Sequence, residues 1–382
     1  MNKNKKQENG QSNSKLEVNR NDKIIQKQEA GDASRQIQVG TVLVQQGIDE
    51  KRVREIFGEL YNNTKKELTE DAISVANQRV IEFENTLMPK VLSIEGAMEA
   101  FADPGFQKLL SKAHSSAIAT SKKEDYELLT ELLIHRVQNK EDRIKYTGIS
   151  KAIEIIDYVD DDALLGMTVA HAVGQLVPND NNVRAGLIIL DNLFGRLIDD
   201  DLPCGRGWIE HLDLLDCVRL NPISSLKRLE DYYSEQMDGY VCTGIKADSE
   251  EFTQVKEVLA SNKIPLNIMR ENPLLEGYYI VNLVSSSKVD NLYIVHNNDR
   301  IPFSDEQKEC IRKIFDMYDK NMTENEAVKQ NFIKEIDALG NLKIVREWWN
   351  NIPIAFDITA SGRVLAHANA MRMDSDIPPL DQ

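Results

Sequence analysis

The sequence predicts a mostly α-helical protein with a smaller α+β part towards its C-terminal end. Apolar residues recur every three or four positions from Val42 to about Glu235, and β-branched and aromatic runs begin near Gly239. Of the 382 residues, 41% are hydrophobic and 28% are charged, which is a globular composition able to form a sizeable core. This length exceeds one typical core, so we expect two or three domains.

The first part of the chain differs in composition from the rest. Residues 1–38 are rich in Asn, Gln, Lys and Ser, and they hold eight basic and five acidic residues, although the whole chain has a formal charge of −16. This segment is predicted to be a disordered tail, and no apolar run follows it as in a secretory signal. Cysteine is sparse and shows no CxxC pair, which predicts reduced thiols in a cytoplasmic protein: Cys204, Cys217, Cys242 and Cys310.

Residues 39–237 are predicted to form an all-helical domain. One long amphipathic helix is marked by the apolar series Leu68, Ala72, Ala76, Val80, Phe83, Leu87 and Val91. Its stripe is longer than one small helical domain usually needs, so we expect part of it to be buried against another subunit. Further helices are expected after Pro104, after Ser121, and over 150–158, 160–176, 183–197, 208–219 and 225–235.

Residues 238–302 are predicted to form an α+β segment. Three runs have strand character, and a helix over Ser249 to Ser261 lies between the first two. The runs are Gly239 to Ile245, Tyr278 to Val284 and Leu292 to His296.

Residues 303–373 are predicted to form a C-terminal module, followed by an extended tail over residues 374–382. Two helices open with capping signatures at Ser304 and Thr323. A short hairpin is then expected from Leu342 to Arg346 and from Ile354 to Ile358, before a last helix over Ala360 to Met371.

The last helix begins within a recognisable motif. Residues 358–366 read apolar-Thr-x-x-Gly-basic-x-apolar-Ala, which resembles the strand-to-helix ending of winged-helix-like domains. Thr359 can cap the helix, and Gly362 can allow close approach of the hairpin. The same ending closes several uncharacterised bacterial proteins, some grouped with abortive-infection (anti-phage) systems, and the whole chain is similar to one such family. The resemblance implies a winged-helix-like module and a role in phage defence.

Two segments suggest an internal duplication. Leu266 to Glu271 and Leu342 to Glu347 are identical at four of six positions. Two tandem winged-helix-like units would explain this similarity, and so would chance in short segments of biased composition.

Two runs of aspartate are the first candidates for chemistry: Asp160, Asp161 and Asp162, and Asp199, Asp200 and Asp201. Two carboxylate clusters on neighbouring helices could hold Mg²⁺ for phosphoryl chemistry. The favoured interpretation is simpler: the first run opens a helix, where negative charge complements the helix dipole, and the second is an exposed loop.

Histidine provides a second set of candidates. His211 follows Glu210 and precedes Leu212 and Asp213, so it could act as a general acid or base. A histidine at the edge of the core is the favoured interpretation, because no Ser or Cys partner is identified by spacing. His114, His135 and His171 lie on three predicted helices, but no HxxxH or HExxH spacing supports a zinc site.

Trp348 and Trp349 are two of only three tryptophans, and they fall in the turn of the predicted hairpin. One of them could be exposed and, with Ile352, anchor a protein partner. The favoured alternative is that both are buried against the helices.

These features predict a non-enzymatic helical scaffold or sensor of the bacterial cytoplasm that self-associates and binds a protein partner. No cofactor, metal or membrane is expected. Nucleic acid is not expected as a partner, because residues 322–374 hold six basic and seven acidic residues. The alternatives are a metal-dependent hydrolase or nuclease using the two aspartate runs, and a DNA-binding regulator using the C-terminal module.

Overall fold

The computed structural model describes residues 48–66, 68–138, 143–296 and 299–380. These residues are mostly α-helical with a smaller α+β part, as predicted. The expected tail over residues 1–38 lies outside them. The helices are α1 (Glu50–Lys65), α2 (Glu70–Ser93), α3 (Pro104–Ala119), α4 (Lys123–Gln138), α5 (Arg143–Ile155), α6 (Asp161–Gln175), α7 (Val183–Leu197), α8 (Gly207–Leu214), α9 (Leu229–Gln236), α10 (Glu250–Ser261), α11 (Asp305–Asp316), α12 (Met322–Asp337), α13 (Gly340–Asn350) and α14 (Ala360–Met373).

The strands are short: β1 (Val218–Asn221), β2 (Ile245–Lys246), β3 (Met269–Glu271), β4 (Tyr278–Val281), β5 (Tyr293–His296), β6 (Asp299–Pro302) and β7 (Ala355–Ile358). In the described residues they form an antiparallel β1–β7 pair, a three-stranded sheet in the order β2-β4-β3, and a β5–β6 hairpin. In the first pair Val218 lies opposite Ile358, so a strand from the predicted helical domain pairs with one near the end of the chain.

The long helix predicted from the apolar stripe is α2. Five residues of the stripe are buried within the same chain, namely Ala76, Val80, Phe83, Leu87 and Val91, whereas Leu68 and Ala72 are half-buried. Helices α1, α3 and α4 pack against α2. The Phe83 side chain is fully buried, with its ring 5.9 Å from that of Phe57 and 6.5 Å from that of Tyr126. Burial of part of the stripe against a second subunit stays a prediction.

One hydrophobic core extends from Val53 to Ile377 and joins both ends of the described chain. Helix α14 packs against α4, α5 and α6, which are more than 180 residues earlier in the sequence. A second, smaller core lies between Ile245 and Ile314, around β2, β4, α10 and α11. The last helix is thus a central element of the N-terminal helical core.

The strand expected over Gly239 to Ile245 is confined to Ile245 and Lys246, and two further predicted elements are wrong. The helix expected over residues 208–219 ends at Leu214. Asp216 then adopts a left-handed backbone conformation with a φ of 60°, and β1 begins at Val218. The expected hairpin is also wrong, because Leu342 to Arg346 lies in α13 and β7 pairs with β1 instead. Both errors have the same cause: the partner that decides the structure is far away in the sequence.

The proposed duplication is not supported at the residues that suggested it. Leu266 to Glu271 forms a 3-10 turn followed by β3, whereas Leu342 to Glu347 is helical. The capping box of Ser304 and Gln307 is confirmed at α11, but α12 is capped by Asn321 rather than Thr323. None of the helices in the described part of the chain is both long and apolar enough to cross a bilayer.

Candidate functional site

Each aspartate run contributes two residues to one cleft of about 240 Å³. Helix α6 begins there with Asp161 and Asp162, and the loop after α7 brings Asp199 and Asp200 to the same cleft. Helix α6 also contributes Leu164 and Leu165. The other walls are the start of α4 and the end of α14, with Lys122, Glu124, Asp125, Leu128, Asn369, Arg372 and Met373. Two segments that the sequence singles out separately are therefore brought together by the fold.

The cleft has an excess of negative charge, since six acidic residues and two basic residues line it. The Lys122 ammonium contacts both carboxylate oxygens of Asp161, at 2.8 and 2.6 Å, and this hydrogen bond raises the lysine pKa. Burial raises the pKa of Asp125, although the Thr120 hydroxyl donates a hydrogen bond to that carboxylate and opposes the shift.

The second cation of the cleft is fixed by its neighbours on α4 and α14. Arg372 donates through Nε to Oδ1 of Asn369 at 3.0 Å and lies 3.6 Å from a carboxylate oxygen of Glu127. Asn369 is buried and donates in turn to the hydroxyl of Thr168 at 2.9 Å. The cleft wall formed by α14 is therefore anchored to both α4 and α6.

Two of the candidate aspartates do not line the cleft. Asp160 is the N-cap of α6, and its carboxylate accepts a hydrogen bond from the backbone N–H of Ala163 at 3.2 Å. Asp201 donates its backbone N–H to the Asp200 carboxylate at 2.8 Å. The first arrangement agrees with the expectation that this run opens a helix.

His211 lies beside the cleft rather than in it. Its Nε2 accepts a hydrogen bond from the backbone N–H of Asp160 at 3.2 Å. This contact occupies the Nε2 lone pair and places the proton of a neutral ring on Nδ1. A role as general base through Nε2 would require that contact to break.

The described residues contain no group of three or more His, Cys, Asp or Glu side chains arranged to hold a metal ion. The three histidines considered for zinc have separate environments. His114 is fully buried, with its ring 4.2 Å from that of Phe57, and neither of its nitrogens has a hydrogen-bond partner. His171 instead contacts His367 on α14, with Nε2 and Nδ1 separated by 3.1 Å.

Trp348 and Trp349 both lie in α13 and are buried. The indole N–H of Trp348 donates to the carbonyl of Pro203, and that of Trp349 donates to the carbonyl of Lys227, each at 2.8 Å. The favoured interpretation, that both tryptophans are buried against the helices, is confirmed, and the alternative of one exposed indole at a turn is wrong. Partner binding through Trp348, Trp349 and Ile352 stays a prediction, and both indoles would have to leave these contacts to reach a partner.

Sequence reasoning missed the contribution of α14 to the cleft. Asn369 and Arg372 were not candidates, because nothing in the local pattern shows that this helix packs against α4 and α6. His367 was missed for the same reason, since its partner lies 196 residues earlier. The sequence carries one signal that α14 is closely packed on several sides, namely its small residues, because small side chains let neighbouring helices approach. They include Ala366, Ala368 and Ala370.

Comparison with known proteins places the chain in a family without supplying an activity. A protein-family model matches residues 47–378. No curated protein and no solved structure matches the chain. The matched region contains α1 to α14, and the description of the family names no activity, ligand or partner. Because the match covers most of the sequence, the chain belongs to this uncharacterised protein family.

Proposed function

We propose that this protein is a non-enzymatic helical scaffold of the bacterial cytoplasm whose acidic cleft binds a basic segment of a partner protein. The observation that supports this is the convergence of Asp161, Asp162, Asp199 and Asp200 on one cleft. A cleft lined by one sign of charge attracts ligands of the opposite sign and speeds their association. The excess of acids remains after Lys122 and Arg372 are taken into account.

Self-association is a second part of the proposal. The outer face of α2 exposes Val75, Ile81 and Leu92 by 51%, 56% and 41%. These side chains are available for contact with another copy of the chain, whereas the buried stripe is not. A role in phage defence rests on the sequence resemblance alone.

A metal-dependent hydrolase or nuclease is the alternative. The meeting of the two aspartate runs at one cleft also favours this alternative, because carboxylates from two segments could share a divalent cation. In the described residues they do not form a ready metal site, so metal binding would require the side chains to move closer.

The experiment compares two variants that remove equal charge. The cleft variant carries Asp161→Asn, Asp162→Asn, Asp199→Asn and Asp200→Asn. The control variant carries Glu95→Gln, Glu99→Gln, Glu257→Gln and Glu276→Gln, which are exposed acids outside the cleft. Each protein is titrated calorimetrically at physiological salt with a synthetic lysine-rich peptide, and separately with Mn²⁺.

The cleft variant is expected to lose at least tenfold in affinity for the peptide, while the control changes by less than about twofold. Equal losses in both variants would mean that binding reflects overall charge, and the proposal would fail. Micromolar Mn²⁺ binding that the cleft variant loses would favour the hydrolase instead.

A further inference from the structure

Arg270 on β3 is a half-buried cation that has no hydrogen-bond or ion-pair partner among the described residues. Its Nε and Nη2 atoms are both enclosed by protein, and neither donates to an acceptor in that part of the chain. An unpaired donor inside a protein is unfavourable, and more so when it carries charge. Because such groups are rare in native proteins, this arginine indicates an acceptor that the chain itself does not supply.

The guanidinium lies where the two hydrophobic cores meet. Side chains alternate along a strand, and the preceding residue, Met269, belongs to the smaller core, so Arg270 lies on the other face of the sheet. Its electrostatic neighbours include Tyr240, which is fully buried in the larger core, and Asp180, in the connection between α6 and α7. Since Arg270 as a whole is half-buried, its two enclosed nitrogens lie just inside the surface.

The titratable side chains around Arg270 do not neutralise it. Burial raises the pKa of Tyr240, of Tyr318 and of Cys242, the last to about 12, so all three are neutral near pH 7. The Tyr240 hydroxyl is also engaged elsewhere, because it donates to the backbone carbonyl of Asp180. None of these groups therefore supplies the negative charge that the arginine requires.

Two carboxylates of this region are held by other groups. Asp180 accepts a hydrogen bond from the backbone N–H of Asn182 at 2.6 Å. Asp238 accepts from the backbone N–H of Ser286 at 2.8 Å and from the hydroxyl of the same residue. Although burial lowers the pKa of Arg270, a guanidinium stays protonated in proteins, so the positive charge remains uncompensated.

Tyr318 provides a further donor close to this charge. Its oxygen accepts from the backbone N–H of Val281 at 2.7 Å, and its own O–H has no acceptor among the described residues. The Nε and Nη2 atoms of Arg270 form the side of a guanidinium that binds carboxylate or phosphate through two parallel hydrogen bonds. A water molecule could accept one of these hydrogen bonds, but only an anion also balances the charge.

We propose that Arg270 anchors a binding site for the carboxylate or phosphate group of a small molecule. The oxygens of this group accept from Nε–H and Nη2–H of Arg270, and the Tyr318 hydroxyl donates to the same group. A change of rotamer at the half-buried arginine is enough to bring its enclosed nitrogens to the ligand.

This site is separate from the acidic cleft. The cleft lies at the start of α6 and after the end of α7, whereas Asp180 marks the connection at the opposite ends of these helices. The two sites also select ligands of opposite charge, because the acids of the cleft repel an oxyanion. Failure of one proposal therefore leaves the other standing.

Thermal unfolding of the full chain tests the site, since an anion that binds the folded state raises the unfolding midpoint. The wild type is compared in sodium phosphate, sodium acetate and sodium chloride at pH 7 and equal ionic strength. We expect the midpoint to rise with phosphate or acetate relative to chloride. A response to phosphate alone assigns a phosphate group, a response to acetate alone assigns a carboxylate, and a response to both shows that either oxyanion is accepted.

Arg270→Met removes the anchor, and it should fold because an apolar side chain replaces an unpaired charge. The control, Arg300→Met, removes the same charge from an exposed arginine whose guanidinium lies 4.8 Å from the ring centre of Tyr293. The apparent dissociation constant of the stabilising anion is expected to rise at least about tenfold in Arg270→Met and less than about twofold in the control.

Arg270→Lys keeps the charge but loses the planar pair of donors, so it should also bind more weakly than the wild type. It replaces Arg270→Met in the comparison if the methionine variant does not fold. The proposal is overturned if phosphate and acetate stabilise the wild type no more than chloride does. It is equally overturned if the folded Arg270 variant responds to the oxyanion as the wild type does.

Discussion

Asp191 on α7 caps a helix that begins 149 residues later in the chain. Its Oδ1 accepts hydrogen bonds from the backbone N–H of Asn341 at 2.8 Å and of Leu342 at 2.9 Å. These N–H groups belong to the first turn of α13, whose own N-cap residue, Leu339, has no side chain able to cap. The start of α13 therefore depends on tertiary contact with α7.

Asp191→Ala should consequently destabilise the protein by about 1–2 kcal/mol, as the loss of an N-cap usually does. The matched control is Asp199→Ala, which removes the same charge from an exposed loop near the end of α7 and should change stability little. Urea unfolding followed by circular dichroism measures both. Equal effects of the two substitutions would show that charge, rather than capping, is responsible.

Gly362 is required by the close approach of α14 to β1. A Cβ at this position would lie 2.0 Å from the carbonyl oxygen of Cys217, which is backbone and cannot move aside cheaply. Gly362→Ala should therefore cost at least about 1–3 kcal/mol, the usual range for overpacking. Gly58→Ala in α1 is the control, because its Cβ would meet nothing within 4 Å and alanine favours a helix. A Gly362→Ala protein as stable as the control would contradict this close approach of the two backbones.

His114 should make stability depend on pH. Burial among aromatic rings lowers its pKa from 6.5 to about 3. The unfolded state therefore binds the proton more readily, and the free energy of unfolding should fall as the pH drops from 6.5 towards 3. His114→Leu should reduce this slope by about 1.4 kcal/mol per pH unit. Part of the slope should remain, because the pKa of His171 is lowered in the same direction.

The measurement is urea unfolding at several pH values for both proteins. Groups that titrate identically in the wild type and the variant contribute equally to both free energies of unfolding, so they cancel when one is subtracted from the other. Parallel curves for the two proteins would show that His114 is already solvated in the folded state.

Self-association can be separated from folding at α2. Phe83→Asp places a charge where the side chain is 0% exposed, so it should unfold the helical core rather than dissociate an oligomer. Ile81→Asp changes an exposed position on the same helix and should leave the fold intact. Light scattering at several concentrations then tests association: a wild-type protein that is monomeric throughout would refute it, and a wild-type oligomer unaffected by Ile81→Asp would place the contact elsewhere.

The acidic cleft should be dispensable for folding. Asp161→Asn together with Asp200→Asn removes two exposed carboxylates, and the Asp161 pair with Lys122 is largely solvated. The free energy of unfolding should change by no more than about 1 kcal/mol, since exposed ion pairs contribute little to stability. Thermal unfolding of the wild type and the variant measures the difference. Loss of a divalent-cation-dependent activity in this variant would overturn the non-enzymatic proposal.

The helices of this protein could be predicted from the sequence where their apolar periodicity is long and local, as at α2, α6 and α7. The errors occurred where distant contacts decide. Leu342 to Arg346 has the β-branched content of a strand, yet the cap from Asp191 and burial of Leu342 and Val345 favour a helix. The acidic clusters were recognised, but the wall that α14 adds to their cleft depends on its packing beside α6, which no local pattern reveals.

The position of α14 has a consequence for how the chain is made. Helices α4, α5 and α6 are complete by residue 175, but α14, which packs against all three, begins only at Ala360. In the same way β1 cannot pair until its partner β7 has been synthesised. During synthesis these helices leave the ribosome long before their partner does. At about 5–20 residues per second, their apolar faces remain uncovered for roughly 10–40 seconds. This protein therefore reaches its native packing late in translation and is exposed to aggregation and chaperone binding until then.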